Sequence, residues 1–261
     1  MSIIITVSNQ KGGVGKTTTS AALASGISQQ GKRVLGIDLD PQGNLGFCLG
    51  AGMANAYTVL DVMKGSVPIL KALIRCDYCD LLISDITLSS NNLEHITSNR
   101  EYILRDAIKP VLDFYDYIII DTPPALNLLT VNAYSVSDFL IIPMASDILS
   151  LVGLAQLKET IETVRSSFNP NLNVLGILLN RFNPRTLLSR DVLEMAEQLA
   201  KQIHSKVFET KIRSGVAIAE APAHGESIFS YSPHSTAVKD YQAFLDEIAL
   251  DIHLKEVPHN G

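Results

Sequence analysis

Short apolar runs recur along the chain and alternate with longer amphipathic stretches. Most of these runs are apolar throughout, which is typical of strands that are buried on both faces of a sheet. The pattern therefore predicts a doubly wound α/β fold, in which βα units build a mostly parallel sheet with helices on both sides. The predicted strands are residues 3–8, 33–38, 80–84, 117–121, 139–143, 174–180 and 206–208, and the predicted helices are residues 17–30, 100–114, 151–168, 187–203 and 236–252.

The composition of the 261 residues suits one compact unit, because 46% are apolar and only 18% are charged. No Pro-, Gly- or Ser-rich linker divides the chain, so we expect a single domain over residues 1–261. The first residues show neither a signal peptide nor an apolar run long enough to span a bilayer, so neither secretion nor membrane insertion is expected. Three cysteines, an odd number, form no disulfide framework and suit a reducing cytoplasm.

A glycine-rich loop follows the first predicted strand and leads directly into the first predicted helix. This glycine loop consists of Lys11, Gly12, Gly13, Val14, Gly15, Lys16, Thr17 and Thr18. Glycines let the backbone curl with its N–H groups pointing inward, and a helix N-terminus adds partial positive charge, so the loop predicts phosphate binding. In such a loop Lys16 is expected to reach the β- and γ-phosphates of a nucleotide, and the Thr17 hydroxyl is expected to bind Mg²⁺.

The glycine loop departs from an ordinary Walker A motif, because Gln10 replaces its first glycine and a second lysine, Lys11, follows. In this respect the chain resembles the ParA/MinD family of deviant Walker A P-loop ATPases, which belong to the SIMIBI class. The resemblance implies a magnesium-dependent ATPase that binds ATP and whose additional lysine, here Lys11, reaches the partner's nucleotide in an ATP-dependent homodimer. Charge supports this role, since two facing ATP molecules repel each other unless cations lie between them.

Acidic residues end two predicted strands, at the edge where open α/β sheets bind ligands. Asp38 and Asp40 lie in a segment that resembles switch I of the family, and the resemblance implies that Asp40 orients the attacking water. Asp121 ends the strand over 117–121 in the manner of a Walker B aspartate and is expected to hold the magnesium shell through water. The predicted catalytic residues are thus Lys11, Lys16 and Asp40, and the predicted magnesium-site residues are Thr17, Asp40 and Asp121.

Two further features resemble particular parts of the family. Asn180 ends the run over 174–180, where the family places an asparagine that binds the adenine edge. Residues 216–225 resemble the ParA/Soj branch, which implies a partition ATPase that binds nonspecific DNA on the bacterial nucleoid and is stimulated by a ParB-like partner. The cargo stays open among a chromosome, a plasmid, an integrative element and a protein cluster.

DNA binding requires a local basic patch, because the formal net charge is −6. Residues 181–213 contain seven basic and four acidic residues, although an ordinary solvated helix face would show the same excess. The candidates for DNA binding in this segment are Arg185, Arg190, Lys211 and Arg213. Contacts of this kind to phosphates give affinity without sequence reading and weaken with salt.

Two other functions occur on the same fold. A MinD-like membrane-associated ATPase needs a basic amphipathic C-terminal helix, whereas residues 234–261 hold two basic and five acidic residues, so no membrane binding is expected. An iron–sulfur cluster carrier needs cysteine ligands, and Cys76 and Cys79 form a C-x-x-C pair that would supply two per subunit. The pair does not match the cysteine positions of known cluster carriers, so packing is its favoured role.

Overall fold

The fold is built on one seven-stranded sheet, seen in a computed structural model that describes residues 2–52, 56–88, 93 and 98–256. The strands are β1 (Ile3–Val7), β2 (Val34–Asp38), β3 (Ile74–Arg75), β4 (Asp80–Leu82), β5 (Tyr117–Asp121), β6 (Phe139–Ala145) and β7 (Asn173–Asn180). Their order is β3-β4-β2-β5-β1-β6-β7, and all of these pairings are parallel except that of β3 with β4.

The strands are buried on both faces, as their apolar sequences predict. Along β1, Ile4 packs into the core on one face of the sheet and Ile5 into the core on the other. Ile118 and Ile119 of β5 alternate in the same way. Such alternation requires an apolar layer on each face. The predicted doubly wound α/β fold is therefore confirmed.

Helices supply these two layers. They are α1 (Lys16–Gln29), α2 (Asn44–Cys48), α3 (Val59–Met63), α4 (Ile69–Ala72), α5 (Ile103–Ile108), α6 (Leu128–Val136), α7 (Ile148–Ser167), α8 (Leu187–Gln202), α9 (Val216–Ala223), α10 (Ile228–Tyr231) and α11 (Thr236–Glu256). In the described part of the chain, no helix combines the length and hydrophobicity that a bilayer-spanning segment requires. Residues 257–261 of the predicted acidic tail lie outside the described residues.

Two sequence-based predictions of elements are wrong. The predicted helix over 100–114 is instead the short helix α5 between two 3₁₀ turns, Arg100–Tyr102 and Lys109–Val111. Pro110 explains the break, because proline has no N–H to donate and its ring clashes with the preceding turn. The predicted strand over 206–208 makes only an isolated bridge to β7 through Val207.

Strand β3 was not predicted. It has two residues and pairs antiparallel with β4, with Ile74 opposite Leu81. Two residues are too few to produce a recognisable period. The Cys76 N–H donates to the carbonyl of Cys79 at 3.2 Å, so the C-x-x-C pair closes this hairpin.

The register of the central strands brings the predicted site residues to one edge. Val7 of β1 lies opposite Asp121 of β5, and Asp121 lies opposite Asp38 of β2. The glycine loop, the switch I segment and the segment after β5 therefore leave the sheet side by side at its carboxyl edge. This is the edge at which open α/β sheets bind ligands.

Candidate nucleotide site

The glycine loop curls around the N-terminus of α1, which begins at Lys16. Gly13 and Gly15 adopt left-handed conformations, with φ angles of 73° and 95°. A Cβ atom at Gly15 would also lie 2.5 Å from Nδ2 of Asn180, so both the backbone conformation and the available space require glycine. Gly15 contributes no side-chain cap to α1, which leaves the first N–H groups of the helix available to an anion.

The end of β7 holds two successive carbonyl groups of the glycine loop. Nδ2 of Asn180 donates to the carbonyl of Val14, and the Arg181 guanidinium donates to the carbonyl of Gly13, each at 2.8 Å. Arg181 has a φ of 53°, which is uncommon for a residue other than glycine. Arg181 was not predicted as a site residue. Its place directly after Asn180 was the one signal that the sequence offered.

Asn180 also lines a cavity of about 160 Å³ beside the glycine loop. Its Oδ1 atom is buried and has no hydrogen-bond partner within the described residues. A buried acceptor is unfavourable unless a ligand supplies a donor, and the amino group of adenine is such a donor. The cavity is lined by Gly13, Val14, Gly15, Thr18, Asn180, Arg181, Ile212, Ile218 and Tyr241. It therefore fits a base, and base binding by Asn180 stays a prediction.

Lys16 is buried below the glycine loop, with 6% of its surface exposed. Its Nζ donates to the carbonyl of Lys11 at 3.1 Å. Burial lowers the pKa of Lys16, and the nearby carboxylates of Asp121 and Asp40 offset only part of this effect. A buried ammonium is stabilised by additional negative charge, which a phosphate group would bring.

Asp121 is fully buried at the end of β5 and accepts hydrogen bonds from two hydroxyl groups of α1. Thr17 donates to Oδ2 at 2.7 Å, and Ser20 donates to Oδ1 at 2.9 Å. Burial raises the pKa of Asp121 to about 6, although these hydrogen bonds and the charge of Lys16 lower it. The structure therefore brings together Thr17 and Asp121, two predicted magnesium-site residues. Ser20 was missed, and its position three residues after Thr17 on the same helix face could have indicated it.

The two switch I aspartates have different environments. Both carboxylate oxygens of Asp38 accept backbone N–H groups at 2.9 Å, one from Asp40 and one from Leu45. Burial, together with the nearby charge of Asp121, raises the pKa of Asp38. Oδ1 of Asp40 accepts the Gln42 N–H at 3.0 Å. Asp38 thus shapes the turn that presents Asp40, a function that was not predicted for it.

The oxygen donors at this edge suit Mg²⁺, which prefers carboxylate and hydroxyl oxygens and completes its shell with water and phosphate. Asp40 lies close enough to Asp121 for its charge to raise the pKa of Asp121. Among the described residues, no group of three or more His, Cys, Asp or Glu side chains is arranged to hold a metal ion. Nucleotide phosphates would supply further oxygen ligands to a magnesium ion here, and the roles of Thr17, Asp40 and Asp121 stay predictions.

Known proteins are similar to this chain over most of its length. A Mycobacterium smegmatis protein described as cobyrinic acid a,c-diamide synthase, crystallised with ADP and magnesium, is 33% identical with a TM-score of 0.79, over 98% of this chain and 96% of that one. The family model described as AAA domain matches residues 2–174. The sporulation initiation inhibitor protein Soj of Bacillus subtilis (strain 168) is 39% identical over 254 residues, which are 95% of this chain and 99% of Soj. The chain belongs to the ParA/Soj family of P-loop ATPases. The chromosome partitioning protein ParA of Caulobacter vibrioides (strain NA1000 / CB15N) is 37% identical over 251 residues, 94% of this chain and 93% of that protein.

Lys11, the second lysine of the glycine loop, contacts its own subunit in this structure. Its Nζ lies 2.5 Å from Oδ1 of Asp147 and 3.4 Å from Oγ of Ser150. Burial acts to raise the pKa of Asp147, but hydrogen bonds from Lys11 and the Ser150 N–H outweigh it, so the pKa is lowered. Neither Asp147 nor Ser150 was predicted. They lie more than 130 residues from Lys11 in sequence, which left no local signal.

The DNA-binding residues predicted from the ParA/Soj resemblance lie in two segments that are neighbours in space. The Phe182 N–H donates to the carbonyl of Ile212 at 3.0 Å, and Asn180 forms a parallel bridge with Ile212. These contacts join the segment that leads into α8 to the segment before α9. The first segment carries Arg185 and continues into α8, which carries Arg190, and the second segment carries Lys211 and Arg213.

These four cations differ in how freely they face solvent. Arg185 and Arg190 are exposed, and Arg190 donates to a nearby backbone carbonyl, that of Pro184, at 3.2 Å. The Arg213 guanidinium instead donates to both carboxylate oxygens of Asp240, at 2.9 and 2.6 Å. Lys211 is half-buried and donates to the carbonyl of Glu209 at 2.9 Å. Arg213 is therefore largely neutralised by a carboxylate of α11.

The C-x-x-C pair lies far from the ParA/Soj nucleotide site. Cys79 directly precedes β4, which places the pair at the amino edge of the sheet, beside a cavity of about 570 Å³. Burial raises the pKa of both thiols, that of Cys79 to about 12. The thiol form is therefore favoured, and both side chains pack against the hydrophobic core.

Proposed function

We propose that this chain binds ATP and Mg²⁺ at the carboxyl edge of its sheet, dimerises on ATP and holds nonspecific DNA as a dimer. ATP hydrolysis and the partition class follow from membership of the ParA/Soj family. The single observation that supports the site most directly is the contact of Thr17 and Ser20 with Asp121 below the glycine loop. Residues 1–261 act as one ATPase unit in the cytoplasm, in association with the nucleoid.

The first task of the site is to hold the triphosphate. The triphosphate oxygens are bound by the Lys16 ammonium and by the backbone N–H groups of Gly12, Gly13, Val14, Gly15, Lys16, Thr17 and Thr18. Oδ1 of Asn180 accepts a hydrogen bond from the adenine amino group. The Thr17 hydroxyl and Asp121 hold magnesium, Asp121 through water. When bound, Mg²⁺ neutralises charge on the β- and γ-phosphates.

Hydrolysis depends on the position of one water molecule. Asp40 orients this water toward the γ-phosphate, in a turn that the two backbone hydrogen bonds to Asp38 hold in place. Positioning and charge neutralisation are the main needs of phosphoryl transfer, so one carboxylate and the two lysines, Lys11 and Lys16, supply most of what the chain contributes.

The dimer provides the DNA-binding surface. Lys11 of each subunit contacts the triphosphate of the other, which joins the segments that carry Arg185, Arg190, Lys211 and Arg213 into one basic surface. Joining two weak sites raises the apparent affinity without any new contact. A ParB-like partner stimulates hydrolysis and returns the subunits to the monomeric state.

Binding of a random-sequence DNA duplex tests this proposal. Filter binding with Mg-ATP, Mg-ADP and no nucleotide is expected to give an affinity about tenfold or more higher with ATP. Asp40→Ala is expected to keep ATP-dependent DNA binding and to lower turnover about a hundredfold. Asp113→Ala is the matched control, because Asp113 is an exposed aspartate at the amino edge, and it should change neither property. Equal DNA affinity in all three nucleotide states would contradict the proposal.

Two other functions remain testable against it. A MinD-like membrane ATPase would sediment with anionic phospholipid vesicles in ATP, whereas the described part of the C-terminal segment, 234–256, holds two basic and five acidic residues that anionic lipid would repel. A cluster carrier would contain iron after anaerobic purification. The distance of Cys76 and Cys79 from the carboxyl edge favours packing instead.

A further inference from the structure

Asp147 gathers three donors around one oxygen atom at the start of α7. Its Oδ1 accepts the Ser150 N–H at 2.9 Å and the Ser150 hydroxyl at 3.2 Å, which makes Asp147 the N-cap of the helix. The same oxygen lies 2.5 Å from Nζ of Lys11. The side chains of Lys11 and Asp147 are 28% and 37% exposed, so the ion pair is partly shielded from solvent.

The backbone around Lys11 is shaped to keep the side chain on α7. The Lys11 N–H donates to Oδ1 of Asn9 at 3.0 Å, and Nδ2 of Asn9 donates to the carbonyl of Pro143 at 2.8 Å. Gly153 of α7 lies beside this segment, since a Cβ atom there would lie in ordinary van der Waals contact, 3.4 Å from Oδ1 of Asn9 and 4.0 Å from Cβ of Lys11. The lysine is therefore held at its amine and at its backbone.

Asp147 and a triphosphate on another subunit compete for the single positive charge of the Lys11 side chain. The triphosphate carries about four negative charges and Asp147 carries one, so the contact across the interface wins once a nucleotide-bound partner is present. The free energy of the Lys11–Asp147 pair is nevertheless lost when the dimer forms, so it makes the free energy of dimerisation less favourable. Because each dimer contains two Lys11 residues, the free energy of two such pairs is lost.

We propose that Asp147 is a positioning residue that holds Lys11 on its own subunit and thereby sets the ATP concentration at which the dimer forms. The inference rests on the proposed ATP-dependent dimer and adds the element that opposes it in the absence of a partner. Partly exposed ion pairs are weak, so loss of the Asp147 contact changes the equilibrium between held and released Lys11 by about threefold per subunit. Two subunits together change the dimerisation constant by about tenfold.

The two lysines of the glycine loop are linked in this state. Nζ of Lys16 donates to the carbonyl of Lys11 at 3.1 Å, so Lys16 contacts the same residue that Asp147 holds. Arriving phosphates compete for the Lys16 ammonium and remove this contact. Nucleotide binding thus removes one contact that holds Lys11 in its own subunit, before the Lys11 side chain contacts the triphosphate of a partner.

The test uses Asp147→Asn, which keeps a good N-cap residue and removes the charge. Asp147→Glu keeps the charge and is the rescue variant. Dimer formation is measured by sedimentation velocity over a titration with Mg²⁺ and a non-hydrolysable ATP analogue. Asp147→Asn is expected to lower the half-maximal analogue concentration about threefold or more, Asp147→Glu to resemble the wild type, and neither to change the thermal midpoint without nucleotide. An unchanged or raised half-maximal concentration in Asp147→Asn would overturn the proposal.

A second measurement separates this inference from the proposed dimer. In nucleotide-free protein, the rate of acetylation of Lys11 by acetic anhydride is followed by mass spectrometry, with Lys158 of α7 as the internal standard. Asp147→Asn is expected to raise the Lys11 rate severalfold and to leave Lys158 unchanged; an unchanged Lys11 rate overturns the inference whether or not the protein dimerises. A wild-type protein that binds the analogue but stays monomeric would instead contradict the proposed function.

Discussion

At the scale of single residues, Asp121 shows a conflict between stability and ligand binding. The side chain is fully buried, and burial raises its pKa to about 6, even though Thr17, Ser20 and Lys16 favour the ionised form. An ionised carboxylate at this position destabilises the ligand-free fold at neutral pH, yet it is the form that a magnesium shell requires. Buried charge at a binding site is a common reason why stability and activity oppose each other.

Replacement of this carboxylate should therefore stabilise the ligand-free protein. Asp121→Asn keeps the shape, and its oxygen can accept from one of the two hydroxyls while its amide group donates to the other. We therefore expect the free energy of unfolding at pH 7 to rise by about 1–3 kcal/mol. The folded pKa of Asp121 is about 6, above the usual 3.8, so between these two pH values the folded wild type keeps a proton that the unfolded chain has lost. Binding of this proton stabilises the folded wild type as the pH falls. The difference in the free energy of unfolding between Asp121→Asn and the wild type should therefore become smaller as the pH falls from about 6 toward 4.

Urea denaturation at pH 7 and pH 5, together with ATP turnover, checks this prediction. Turnover should fall about a hundredfold in Asp121→Asn, because the magnesium shell loses its carboxylate. Asp113→Asn, an exposed aspartate before β5, is the control and should change neither quantity. A variant that is less stable than the wild type at pH 7 would show that ionised Asp121 stabilises the fold.

At the scale of elements, the strands were easier to predict than the contacts between them. The strand over 117–121 matches β5 because an unbroken apolar run ends at one aspartate. The helix over 100–114 failed because Pro110 interrupts it, and β3 was missed because it has only two residues. Sequence patterns report local periodicity, so they identify elements that are long and uninterrupted.

The candidate site divides in the same way. Lys16, Thr17 and Asp121 could be predicted because each lies in a local pattern of strand, loop and helix. The contact of Lys11 with Asp147 joins two loops at the ends of β1 and β6, which are neighbours only because of the strand order. Arg181 contacts Gly13 for the same kind of reason. Such pairs depend on topology, which a single sequence does not state.

The contact between β7 and the glycine loop has a mechanical consequence. The carbonyl of Gly13 and the N–H of Val14 belong to one planar trans peptide unit and point in opposite directions, and the same is true of the next peptide unit. Arg181 and Asn180 hold these two carbonyls at the end of β7. They therefore direct the N–H groups of Val14 and Gly15 away from β7 and toward the side of the loop on which phosphate oxygens are expected. The loop is in this way organised before nucleotide binds.

Removal of one of these contacts should weaken ATP binding. Arg181→Ala is expected to raise the Kd for a fluorescent ATP analogue about fivefold, which corresponds to the loss of about 1 kcal/mol for one partly exposed, charge-assisted hydrogen bond. Arg185→Ala removes an exposed arginine four residues away, whose N–H donates to Asn183 and for which no hydrogen bond or ion pair to the glycine loop is found among the described residues, so its Kd should equal that of the wild type. If both variants bound the analogue like the wild type, the glycine loop would not need Arg181 for its conformation.

At the scale of the whole molecule, charge is distributed unevenly. The net charge of −6 repels DNA, whereas residues 181–213 carry an excess of three positive charges. Within that segment Arg213 is paired with Asp240 of α11, while Arg185 and Arg190 face solvent. DNA binding should consequently depend on a small number of free cations, whose contribution can be measured through its dependence on salt.

The salt dependence of DNA binding in ATP should identify these cations. Each phosphate contact contributes about 0.9 to the slope of log K against log salt, so Arg185→Ala/Arg190→Ala is expected to make the slope less steep by about 2 to 4 for the dimer. Arg213→Ala should have a smaller effect, because Asp240 already neutralises its charge. Arg105→Ala on α5, toward the amino edge, is the control and should leave the slope unchanged. A slope that the double variant does not alter would mean that DNA lies against another face, and the excess charge of 181–213 would then be only a solvated surface.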